Sequence, residues 1–311
     1  MPLPVYSEIS NFSFKKNEVK KFNFSLSCVF ITNNLSSSIE SLNSIYSIIS
    51  SNKQSIELLI INLDKITYNY DTIFSTFPFV RILFVKDKVS IKDVFLLGIE
   101  EAIAKNILFL KQDYEILSLD LDMLNLYLSE MNFGIVLPLI FNESEEIIPN
   151  IVKLNYKNGL LTTYSNDIVG TAEPSLYPKY FCFIINKNAI FSDLDIFDYE
   201  NEDYFLLELG YRLWKNGFVI SQARNFKVFY NYEKSDIDLS DDSEYLIFNL
   251  RNINSSSLTK GRSLFILKSM LKNVFKLNFN YVKKLNKSKK EKKHFPVEDL
   301  EILSIINKDN P

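Results

Sequence analysis

Near-continuous apolar runs alternate with stretches of helical spacing from Ser25 to Phe141, and this alternation dictates the fold class. SLSCVFITN (Ser25–Asn33), IELLIINLD (Ile56–Asp64), VRILFV (Val80–Val85) and ILFL (Ile107–Leu110) read as strands buried on both faces. Between them, Leu35, Ile39, Leu42, Ile45 and Ile49 recur at near-helical spacing. Val94, Phe95, Gly98, Ile99, Ala102 and Ile103 line a second helix, opened by a Ser90–Asp93 capping box. Leu119–Met131 predicts a further helix and Phe133–Phe141 a further strand. Such strands, joined by right-handed crossovers, build a mostly parallel, Rossmann-like α/β sheet with helices on both faces. Ligands of open parallel sheets bind at the carboxyl ends of the strands. ILFL runs straight into Gln112-Asp113, so Asp113 is expected on that rim, where carboxylate oxygens suit a hard metal ion beside a diphosphate.

Downstream the pattern loosens. Lys157-Asn158-Gly159, between Val152–Tyr156 and Leu160–Tyr164, predicts a hairpin. Tyr180–Phe191 predicts a strand leading into a helix or loop. Asp203–Asn216 predicts a helix with Tyr204, Leu207, Tyr211 and Trp214 on one side, closed by Gly217. FVISQA and FKVFYNY read as two more short strands. The expected organisation is an N-terminal extension (1–22), an α/β domain (23–235) and a helical, basic C-terminal region (236–311).

Composition removes several function classes. Seven glycines argue against a Gly-rich phosphate loop, and nine prolines against long linkers. Cys28 and Cys182 both sit in apolar runs and read as buried thiols, with no disulfide framework and no zinc spacing. The single histidine, His294, lies in a basic tail, which excludes a His-based triad. The N-terminus lacks a basic start followed by an apolar run, and no stretch reaches the ~18 apolar residues of a membrane span, so a cytoplasmic location is expected.

The net charge of −3 conceals an asymmetry: Lys260–His294 holds twelve Lys/Arg against Glu291, a formal +11, and the remainder holds 23 against 37 acids, −14. Leu264, Phe265, Met270, Leu271, Val274 and Phe275 among those cations suit an amphipathic helix lying on an anionic membrane or docked on the acidic body. Nucleic acid is not an expected partner, because the body is acidic and carries no recognition motif.

The order of these pieces, from residue 24 to about residue 252, resembles the family-2 glycosyltransferases, especially the rhamnosyltransferase-like branch with a glycosyltransferase-A fold. Thr32-Asn33-Asn34 stands where the family's first strand ends, and Asn62-Leu63-Asp64 where the nucleotide base is gripped. Gly98-Ile99-Glu100-Glu101-Ala102 precedes Leu110-Lys111-Gln112-Asp113, at the place of the metal motif. Phe197-Asp198, then Glu208, Arg212 and Gly217, then Tyr245 through Arg251-Asn252 complete the set.

The resemblance implies inverting transfer of a sugar from a nucleotide-sugar donor to a glycan or lipid-linked acceptor, in surface polysaccharide assembly. It implies donor contacts from Thr32, Asn33, Asp64, Gly98, Lys111, Gln112 and Arg212, a divalent cation (Mn or Mg) on Asp113, and a base at Asp203 or Glu208. Four positions depart from the family. Lys111 replaces the first acidic or amide residue of the metal motif, Leu206 stands at the usual base, Tyr230 at a late histidine, and bulky Val94–Leu97 replaces a Gly/Asn-rich segment. Two alternatives stay open: a structural i,i+4 ion pair for Glu208 and Arg212, and a non-catalytic member that binds nucleotide, glycan or a protein partner.

Overall fold

Strands apolar on both faces satisfy their backbone N–H and C=O groups only by pairing in a covered sheet. A computed structural model describes residues 4–11, 23–52, 55–64, 70–86, 89–130, 132–157, 160–166, 173–190, 196, 198–230, 244, 248, 252 and 302. The elements are β1 (Tyr6–Ser10), β2 (Leu26–Thr32), α1 (Ile39–Ser51), β3 (Ile56–Asn62), α2 (Asp71–Thr76), β4 (Val80–Val85), α3 (Ile91–Glu101), β5 (Asn106–Lys111), β6 (Tyr114–Leu119), α4 (Leu121–Glu130), β7 (Phe133–Phe141), β8 (Ile147–Ile148), β9 (Ile151–Lys157), β10 (Leu160–Asn166), β11 (Cys182–Asn186), α5 (Glu202–Lys215) and β12 (Val219–Tyr230).

One ten-stranded sheet runs in the order β1-β4-β3-β2-β5-β11-β7-β12-β6, with β8 on β7. β4, β3, β2 and β5 are parallel neighbours, and β12 is parallel to β7. β11 lies antiparallel between β5 and β7. Alternate residues feed two cores. Val29, Ile31, Leu59, Ile61 and Phe109 share one with Phe95 and Leu97 of α3 and Phe205 and Leu209 of α5. Phe30, Leu58, Ile60 and Leu108 share the other with Leu42 and Ile45 of α1, Ile73 of α2 and Leu121 and Leu124 of α4. Helices therefore cover both faces of a mixed, largely parallel sheet, as the alternation predicts.

The Ser90 capping box forms as expected, with Ser90 accepting the Asp93 N–H and the Asp93 carboxylate accepting the Ser90 N–H. Phe95 stacks on Phe109 with centroids 4.9 Å apart and meets Phe205 edge-on at 5.3 Å. The bulky segment Val94–Leu97 thus packs α3 onto the sheet and α5. At the far end of α5, Gly217 adopts φ +80°, and the Phe218 N–H reaches the Leu213 carbonyl at 3.0 Å, a Schellman closure.

Four segments add to the expectation or depart from it. The N-terminal extension contributes β1, antiparallel to β4, tied by a buried network in which Arg81 bonds Glu57 and Glu101 and the Tyr6 hydroxyl donates to Glu101. Tyr114–Leu119 is a strand at the opposite edge, paired with β12. The two short strands after Gly217 are one, β12, whose register along β7 breaks between Gln222 and Lys227. Beyond 235, Glu244, Phe248 and Asn252 are helical and buried, and Phe248 and Ile302 enter the same core as α5. The expected hairpin pairs as β9 and β10. Its turn residues, Asn158 and Gly159, and the basic stretch 260–294 lie outside the described residues.

Candidate functional site

The parallel register brings three strand ends to one rim: Thr32 pairs with Asn62, and Ile31 with Lys111. Gln112 fastens two of them. Its N–H donates to the Ile31 carbonyl at 3.0 Å, and its Oε1 accepts from Thr32 Oγ1 at 2.7 Å and from the Asn33 and Asn34 N–H groups at 2.9 and 3.3 Å. The Gln112 side chain is thereby an organiser of the loop after β2, and Asn33 is left exposed on that loop. Asp64 sits half-buried at the neighbouring end, where its N–H donates to Asn62 Oδ1 at 3.1 Å and the Leu63 N–H donates to the Thr32 carbonyl at 2.9 Å.

Asp113 is exposed in the two-residue turn joining β5 to β6. Two residues earlier, the Lys111 ammonium pairs with the carboxylate of Glu202, the first residue of α5, and stands 5.1 Å from the Phe181 ring centroid. Lys111 and Glu202 side chains are 29% and 25% exposed, so both remain open to a solute. On the other side of Asp113, Tyr114 pairs with Tyr230, their rings stacked at 4.3 Å, and Tyr180 meets Tyr230 edge-on at 5.5 Å. Burial pushes the Tyr114 phenol well above its ordinary range, and the charges of Tyr230, Cys182 and Glu202 add to it.

The amino end of α5 is built by two caps. Asn201 Oδ1 accepts the Asp203 N–H at 2.8 Å, and the Glu244 carboxylate accepts the Glu200 and Asn201 N–H groups at 2.8 and 3.2 Å. Acids in this first turn are favoured by the helix dipole. Asp203 is half-buried there, beside Glu202. Asp198 is exposed, and Phe197 lies outside the described residues.

Burial bears on two other expected site positions. Glu208 is fully buried, and its Oε1 takes Arg212 Nε at 2.8 Å and the guanidinium NH2 at 2.7 Å. The carboxylate and guanidinium close on each other inside the core, the geometry of an i,i+4 helical ion pair. Gly98 is buried at mid-sheet: a Cβ there would meet Phe109 Cε1 at 2.7 Å and Val29 Cγ1 at 3.0 Å. Its role is close approach of α3 to the sheet, away from the strand ends. Leu206, at the usual base position, is fully buried as well. Glu202 and Glu244 were not singled out from sequence; the only signal for Glu202 is an acid at the first helical position, next to Asp203.

The donor set at the rim does not fit a divalent cation. Lys111 stands where the metal motif carries its first acid or amide, and Tyr230, in the place of the late histidine, stacks on a neutral phenol. No group of three or more His, Cys, Asp or Glu residues able to hold a metal ion occurs among the described residues.

No protein-family model matches the chain, and no curated protein matches it in sequence. Solved structures do match in fold. GalNAc-T7, crystallised with UDP, GalNAc and Mn2+, matches with a TM-score of 0.53 at 13% identity, covering 73% of this chain and 48% of that one. TarS of S. aureus matches at 0.50 and 12%, covering 79% and 42%, and its 1–349 fragment at 0.52 and 14%, covering 85% and 81%. This chain spans less than half the length of GalNAc-T7 and of whole TarS. These neighbours are glycosyltransferases. The architecture described above, a largely parallel sheet with an antiparallel strand inserted beside β5 and helices on both faces, is the glycosyltransferase-A fold.

Proposed function

We propose that this chain transfers a sugar from a nucleotide-sugar donor to an acceptor hydroxyl, with inversion at the anomeric carbon. The observation that carries the reading is the convergence of Thr32-Asn33, Asp64 and Lys111–Asp113 on the carboxyl rim of a glycosyltransferase-A sheet, facing the acidic first turn of α5. In this reading Asp64 contacts the base, the loop after β2 the nucleoside, and Lys111 the diphosphate. The acceptor oxygen attacks the anomeric carbon as the bond to the diphosphate oxygen breaks. The electron pair leaves on the diphosphate, and the acceptor proton passes to a carboxylate of the first turn, where Glu202 and Asp203 replace Glu208 as candidates.

A glycan or lipid-linked acceptor in surface polysaccharide assembly is part of the proposal, supported by the resemblance and the basic segment 260–294. No helix among the described residues is long and apolar enough to cross a membrane.

The burial of Leu206 and Glu208 favours a second reading, a protein that binds nucleotide or glycan without catalysis. Incubation with UDP-, GDP- and dTDP-sugars, followed by donor hydrolysis or transfer, separates the two. Turnover abolished by Asp113→Ala in a folded protein supports the transferase. Nucleotide binding without turnover in any donor favours the binder. Unchanged turnover in the variant removes Asp113 from the mechanism.

A further inference from the structure

We propose that Lys111 and Glu202 form a latch that a nucleoside diphosphate opens, so that this rim recognises the diphosphate without a divalent ion. The inference rests on the nucleotide-sugar reading and deepens it. At this rim an ammonium replaces the first acid or amide of the metal motif, and a stacked tyrosine stands in place of a histidine ligand. Lys111 supplies the positive charge itself. It projects from the carboxyl end of β5 over the buried Phe181 ring, a contact that holds the ammonium at the rim. A lysine ammonium is a compact point charge suited to phosphate oxygens.

With no anion bound, Glu202 meets that charge. A diphosphate carries more negative charge than one carboxylate and competes for the same ammonium. Glu202 loses little on release, because it sits in the first turn of a 14-residue helix whose amino end favours an anion. Opening the latch therefore frees a carboxylate beside the donor at the step when an acceptor proton needs a taker. Donor binds first and acceptor second. Both side chains are part-exposed, so the pair contributes little to stability and its removal leaves the fold intact.

The test is calorimetric titration of the full chain with UDP, GDP, dTDP, ADP and CDP, in EDTA and in manganese chloride. Equal affinity in both buffers is expected. Lys111→Ala should weaken binding by about tenfold or more, and Lys111→Arg should retain it, as for a charge-assisted phosphate contact. Glu202→Gln should tighten binding about threefold, because the competing anion is gone, and Lys111→Ala/Glu202→Gln should bind no better than Lys111→Ala. Binding that requires manganese overturns the metal-free assignment while leaving the transferase reading standing. Weaker or unchanged binding in Glu202→Gln overturns the latch. Failure of every nucleoside diphosphate to bind in either buffer overturns the nucleotide-sugar reading itself.

Discussion

Glu244 accepts the backbone N–H of Glu200 at 2.8 Å, although 44 residues separate them in the chain. The same carboxylate accepts the Asn201 N–H, so a residue from the C-terminal segment caps the turn that presents Glu202 and Asp203. Glu244 is buried, and Phe248, one helical turn on, meets Tyr211 of α5 edge-on at 5.5 Å. Glu244→Ala leaves two backbone donors without their acceptor and should cost about 1–3 kcal/mol. It should also tighten UDP binding, in the same direction as Glu202→Gln, because a displaced Glu202 competes less for Lys111. A denaturation midpoint and a nucleotide titration check both; an unchanged midpoint would show that water replaces the carboxylate.

The Glu208–Arg212 pair gives a sharper separation of structure from chemistry. Removing one partner strands a buried charge, so Glu208→Ala and Arg212→Ala should each destabilise by about 3–5 kcal/mol. The double replacement by leucine should be milder than the sum, since no charge is left unpaired. A double-mutant cycle in denaturant measures this. Were Glu208 the base, Glu208→Gln would instead abolish turnover at nearly unchanged stability.

Three glycines should rank by what surrounds them. At Gly210 a Cβ would meet the Leu176 carbonyl oxygen and Tyr177 Cβ, each at 2.5 Å, and neither can move without shifting the chain. Gly210→Ala should cost about 3 kcal/mol or more through overpacking. Gly98→Ala meets ring and methyl carbons that yield in part, and the helix gains from alanine, for a net loss near ~1 kcal/mol. Gly217→Ala has open space around it but a φ of +80°, which costs about 1–2 kcal/mol. Thermal melts of the three variants set the order. Nucleotide affinity lost in Gly98→Ala without loss of stability would return Gly98 to the donor site.

What was legible in the sequence follows from how local the determining physics is. β2, β3, β4 and β5 are apolar on both faces, and their register alone carries Thr32, Asp64 and Lys111–Asp113 to one rim. β6 alternates and finds its partner only in β12, about a hundred residues later, so no neighbouring pattern announces it. β12 reads as two strands because Arg224-Asn225 separates the two short runs FVISQA and FKVFYNY. β1 is a half-buried edge strand whose anchor, Arg81, is invisible as an anchor until Glu57 and Glu101 close on it. At the site, position along α5 decides. Tyr204 through Lys215 are all buried, so Glu208 is enclosed whichever way it faces, and only the first turn leaves Glu202 and Asp203 partly open; the sequence does not show that α5 is covered all round. Glu244 was hidden for a different reason: a cap supplied from 43 residues beyond Asn201 leaves no local signature.

Alkaline pH should unfold this protein through groups that burial keeps protonated. Burial pushes the Cys28 thiol up to about 12, and the Cys182 thiol and the Tyr114 phenol well above their ordinary ranges. In the unfolded chain a thiol ionises near ~8.5 and a phenol near ~10. Between those values and the folded ones, the unfolded state has released protons that the folded state retains, so stability falls as pH rises. The full contribution is present below about pH 8.5, and each fully engaged group adds a slope of about 1.4 kcal/mol per pH unit. Urea midpoints under reducing conditions should therefore decline from about pH 8.5 upward. Cys28→Ala and Cys182→Ala should each make that decline shallower from its onset, whereas Tyr114→Phe should flatten only the part above about pH 10. Equal slopes in the parent and all three variants would mean that other groups carry the alkaline transition.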